Sequence, residues 1–71
     1  MTVTKHVIQR FQERITDEPP EVVQHFIESD LKHSTHLYRL NHIEKRISNG
    51  VIYVLDCTKE TNPVVLTLYL A

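Results

Sequence analysis

Apolar residues recur at two different spacings along this 71-residue chain, and the change of spacing divides it into a helical half and a strand half. Val3, Val7, Ile8, Phe11 and Ile15 follow a three-to-four-residue period, which predicts a helix over about Lys5–Ile15 with Thr4 as its N-cap. Thr16, Asp17, Glu18, Pro19 and Pro20 break that pattern. Proline is accepted in a first helical turn but not inside a helix, so a second helix is expected to begin near Pro20. Its inner face would be Val22, Val23, Phe26, Ile27 and Leu31, with Glu21, Gln24, Glu28 and Lys32 outside and an end near Lys32 or His33.

After Ser34 the text becomes strand-like. Val51–Cys57 (VIYVLDC) and Val64–Leu70 (VVLTLYL) are rich in β-branched, aromatic and aliphatic residues. Ser48, Asn49 and Gly50 form the turn before the first of these, and residues 59–63 (KETNP) form the turn after it. An earlier strand is expected over about Glu44–Ile47. His36–His42 fits both periods; Ser34, Thr35, Tyr38 and Asn41 are indifferent helix formers, which favours a strand. The expected fold is therefore one α+β domain spanning residues 1–71, two N-terminal helices packed on an antiparallel β-meander of three or four strands. In the last strand Val64, Leu66, Leu68 and Leu70 would face the helices, and Val65, Thr67 and Tyr69 would share the other side. Such a strand, apolar on both sides, needs a central place in the sheet, a partner chain or a ligand to cover it.

Composition is that of an ordinary globular protein, and no apolar run approaches the ~20 residues of a membrane-spanning helix. Lys5, His6, Gln9 and Arg10 interrupt any signal-peptide pattern at the start. The single Cys57 rules out an internal disulfide, suits a reducing cytoplasm and reads as a small buried strand residue before it reads as a nucleophile. So short a chain buries only about 60% of its unfolded surface, which makes a homodimer the expected state.

Net charge is −1, against strong non-specific nucleic-acid binding, but its distribution is uneven. Residues 17–30 hold Asp17, Glu18, Glu21, Glu28 and Asp30 with no lysine or arginine, so the acidic second helix is a candidate face for a basic protein partner. Five histidines add sensitivity near pH 6.5. His33 and His36, with His25 or His42, lack the regular Cys/His spacing of a zinc site, and no metal or cofactor is expected.

The candidate chemistry is concentrated at His6, Arg10 and Arg14. Their four-residue spacing sets them on one slanting strip bordering the apolar arc of the first helix. An imidazole and two guanidiniums there suit a phosphate or carboxylate; the plainer reading is an amphipathic border whose arginine stems cover the core edge.

The opening T-K-H-x-x-x-R-x-x-x-R helix, a second amphipathic helix and a meander ending V-V-L-T-L-Y resemble the small bacterial and phage H-x-x-x-R-x-x-x-R domains grouped with RelE-like and colicin-like nucleases. The resemblance implies N-terminal helices on a twisted antiparallel sheet of about four strands. It also implies a site of His6, Arg10 and Arg14 with Thr67 or Tyr69, and metal-independent cleavage or binding of RNA. Histidine would transfer the proton, arginine would hold phosphate, and exposed tyrosines would stack on unpaired bases. The alternative is a non-catalytic regulatory protein acting through protein–protein contacts.

Overall fold

The computed structural model describes residues 1–71 and contains two helices on a five-stranded mixed sheet. The elements are β1 (Thr2–Val3), α1 (Lys5–Arg14), α2 (Pro20–Lys32), β2 (Thr35–Leu40), β3 (Ile43–Ser48), β4 (Val51–Asp56) and β5 (Val64–Leu70). The sheet order is β1-β5-β4-β3-β2. The α+β class holds, and His36–Leu40 is strand, inside β2. The count and the purely antiparallel character require correction: β1 precedes the helices and pairs parallel to β5, Thr2 with Val64 and Val3 with Val65. Two residues are too few for a period, so the sequence pattern carries no trace of β1.

Local chemistry explains the helix limits. Thr4 caps α1 by accepting a hydrogen bond from the Val7 amide at 3.3 Å. Its hydroxyl also donates to the Val65 carbonyl at 3.3 Å, tying the start of α1 to β5. Pro20 opens α2 without a side-chain cap, Glu21 occupies its first turn and Lys32 its last, charges that suit the helix dipole. At the other end the Ser34 hydroxyl donates to the Leu31 carbonyl at 2.7 Å.

The turn between β3 and β4 is a two-residue hairpin, Asn49 and Gly50, with φ of 51° and 76°. Positive φ at both central positions matches the right-handed twist of the strands on either side.

Helices cover one face of the sheet. Val7 and Phe11 from α1 and Val23, Ile27 and Leu31 from α2 meet Val51, Tyr53, Leu55, Cys57, Val65 and Leu68 in one core of eleven buried residues. In β5 Leu68 is buried as expected and Leu70 shares its side through the pairing with Val51, but Val65 is buried there in place of the expected Val64 and Leu66. The cause is a bulge: Val54 pairs with Thr67 but the adjacent Leu55 pairs with Val65, which leaves Leu66 extra and resets the alternation. On its outer side β5 is covered by the short β1 at Val64 and Val65 alone and is a sheet edge from Leu66 onward.

Candidate functional site

The α1 strip occupies the flank of that helix turned away from α2. Val7 and Phe11 point into the core. On one side of them Ile8, Gln9 and Gln12 form a groove with Pro20, and Gln12 donates to the Glu18 carbonyl at 3.0 Å. At 100° per residue His6, Arg10 and Arg14 fall on the other side. His6 and Arg14 are exposed and Arg10 is half-buried. The three ion pairs of the chain are His36–Glu44, Arg39–Glu60 and Arg46–Glu44. Of the four arginines, Arg10 and Arg14 are thus the two without a carboxylate partner, and Arg10 pairs with neither Glu13 nor Glu44.

The second candidate lies on the helix-free face. In β4 the residues Val51, Tyr53 and Leu55 point to the helices, so Ile52, Val54 and Asp56 point away from them. Register carries that face across the sheet. Tyr38, Lys45, Val54 and Thr67 form one cross-strand row, and Ile47, Ile52 and Tyr69 lie in the next. Ile43 and Leu40 continue the face beyond Asp56. The result is an apolar bed crossed by two aromatic rings and one cation.

Those three polar tips are organised. Lys45 Nζ donates to the Tyr69 hydroxyl at 3.0 Å and stands 5.3 Å from the Tyr69 ring centroid and 5.6 Å from that of Tyr38. The Tyr69 hydroxyl, more than the nearby Tyr38, holds the ammonium above its ordinary range. Tyr38 is 50% exposed and Tyr69 37%, so both rings cover the β-branched bed while keeping a face in water.

A third cluster is structural. Glu44, 16% exposed at its side chain, accepts from His36 Nδ1, from Arg46 at 2.8 Å and from the Cys57 thiol at 3.6 Å. Burial raises the Glu44 carboxyl, but the bonds from His36 and Arg46 outweigh it and the net shift is downward. Burial, then the Glu44 charge, pushes the Cys57 thiol up, which keeps it protonated and a poor nucleophile. Arg46 also grips Ser34, through its hydroxyl at 2.7 Å and its carbonyl at 3.1 Å, locking the end of α2 to β3. The largest cleft, about 490 Å³, contains Asp30 at its wall, yet both oxygens of that carboxylate are already hydrogen-bonded within the chain.

The five residues implied by the motif resemblance therefore sit around one strand from two sides. His6, Arg10 and Arg14 belong to the helix packed beneath β5, and Thr67 and Tyr69 leave β5 on the opposite face. No hydrogen bond or ion pair joins the two sets. Sequence reading missed Lys45 and Tyr38, which lie far from Tyr69 in the chain; only strand register brings them together. No group of three His, Cys, Asp or Glu side chains is placed to hold a metal ion, and no helix is long and apolar enough to cross a membrane. No protein-family model matches the chain, and no curated protein or solved structure matches it either.

Proposed function

We propose that this protein binds single-stranded RNA on the helix-free face of its sheet, as a binding protein rather than a nuclease. The observation that carries the reading is the Lys45 ammonium held between the half-exposed rings of Tyr38 and Tyr69. Unpaired bases stack on aromatic faces, and a cation between two such rings is placed to meet the phosphate that links them. Ile43, Ile47, Ile52 and Val54 give the bases an apolar floor. The acidic α2 lies across the sheet from this face, which weakens its repulsion of a polyanion. No histidine occurs among the paired positions of the face around Tyr38, Lys45 and Tyr69; His42 lies in the β2–β3 turn, near Asp56 at the Leu40–Ile43 end of the face.

Fluorescence anisotropy with a labelled oligouridylate and with a duplex of equal length tests this. Binding should be confined to the single strand, and Tyr38→Ala or Lys45→Met should weaken it several-fold, since one stacked base contributes about 1–3 kcal/mol. Equal affinity for duplex, or no effect of either substitution, overturns the reading. The second reading, a regulatory domain with a basic protein partner, is supported by Val22 and Phe26, exposed one turn apart on acidic α2.

A further inference from the structure

The outer edge of β5 is open for most of its length. β1 pairs only with Val64 and Val65, and no strand continues alongside Leu66–Leu70. An uncovered stretch of this kind offers backbone N–H and C=O groups to another extended chain. α1 packs beneath β5, and α2 lies on the β3 side. The flank of α1 turned away from α2 therefore looks toward the open edge, and that flank carries His6, Arg10 and Arg14. None of the three has a partner within the chain, whereas Arg39 and Arg46 are both paired.

We infer that the open edge of β5 receives an extended acidic peptide as an added strand, with its carboxylates on the His6–Arg10–Arg14 strip. The spacings agree. Residues four apart on a helix rise about 6 Å, and alternate residues on a strand advance about 6.7 Å. A segment with acidic residues at every second position would therefore offer one carboxylate to each cation in turn. Its intervening side chains would point to the other face, beside Thr67 and Tyr69. A strand edge selects a peptide over a nucleic acid, because alternating amide donors and acceptors match a second peptide backbone and not a sugar–phosphate chain. Arginine's planar fork favours carboxylate in two-point contact, which adds orientation to charge.

The test uses a labelled octapeptide of alternating threonine and glutamate as probe, read by fluorescence anisotropy. The wild-type protein should bind it saturably, and the double variant Arg10→Ala/Arg14→Ala should lose at least about tenfold in affinity, roughly 1.4 kcal/mol. The charge-reversed pair Arg10→Glu/Arg14→Glu should instead bind the threonine–lysine version, which shows that the variant is folded and that the contact is direct. Methylating alternate backbone nitrogens of the probe should also abolish binding. Unchanged affinity in the alanine variant, or full affinity of the methylated probe, overturns the proposal. So does an oligouridylate that displaces the peptide and loses its own affinity in the same arginine variants, which would assign the strip to RNA. Failure here leaves the Tyr38 and Lys45 experiment intact, since that face and this edge are altered by different substitutions.

Discussion

Tyr53, fully buried in β4, donates its hydroxyl to Asp30 of α2 at 2.7 Å, and the other oxygen of that carboxylate accepts from the Asn49 amide at 3.2 Å. One buried acid thereby joins the second helix to the centre of the sheet and to the β3–β4 turn. Removing the hydroxyl in Tyr53→Phe leaves Asp30 buried with half of its partners. The loss should be about 1.5–3 kcal/mol, the range for hydrogen bonds to charged groups, measured by urea unfolding.

The same contact sets an alkaline limit. Burial, reinforced by Asp30, raises the Tyr53 phenol well above its ordinary value. Its folded value therefore exceeds its unfolded one, near 10. The stabilisation is complete below that pH and is lost as pH rises further, because the unfolded chain releases the proton first. Wild type should destabilise above about pH 10 more steeply than Tyr53→Phe, which urea midpoints across pH 9–11 would check.

Glu44 has the opposite sign. Hydrogen bonds from His36 and Arg46 bring its carboxyl below the unfolded value of about 4.3, against the effect of burial. Its contribution is present above that pH and is lost as pH falls through the folded value. Glu44→Gln should cost about 1 kcal/mol at neutral pH and flatten the acid branch of the stability curve, followed by circular dichroism.

Gly50 should resist substitution for a purely conformational reason. A side chain there would meet no atom within 4 Å, yet φ is 76°. Gly50→Ala should cost about 1–2 kcal/mol from left-handed backbone strain alone, and a thermal melt should register it.

Self-association is expected through β2. That strand is the far edge of the sheet, and Leu37, Tyr38 and Leu40 are exposed along it. Its one guanidinium, Arg39, is paired with Glu60 and so guards the edge poorly. Light scattering at tens of micromolar should give a dimer mass for wild type and a monomer for Leu40→Lys. A monomer mass for wild type would remove the argument.

The regular elements were legible because local chemistry governs them. Thr4, Pro20 and the Asn49–Gly50 pair each mark a boundary, and β5 runs from Val64 to Leu70 as its β-branched text indicates. The face of β5 was not legible, because a single bulged residue at Leu66 shifts the alternation and a bulge depends on the partner strand. For the same reason the Tyr38–Lys45–Tyr69 cluster could not be read: its members come from three strands, and only their register makes them neighbours. The α1 strip was legible as a pattern, while its lack of ion-pair partners depends on where every acid in the chain finally lies.

The pairing of Thr2–Val3 with Val64–Val65 also has a temporal side. The first strand of the sheet waits for the last, so this part of the fold can close only when residues 2–65 are all available. Val7 and Phe11 share one core with Val65 and Leu68, which means that α1, which precedes β5 in the chain, lacks the strand it packs on until β5 emerges. Contacts between such distant positions carry a loop-closure penalty and slow folding. During synthesis the ten-residue α1 segment is too short to hold a helix without that packing, so Val7 and Phe11 should stay exposed to chaperones or to neighbouring chains before the sheet exists.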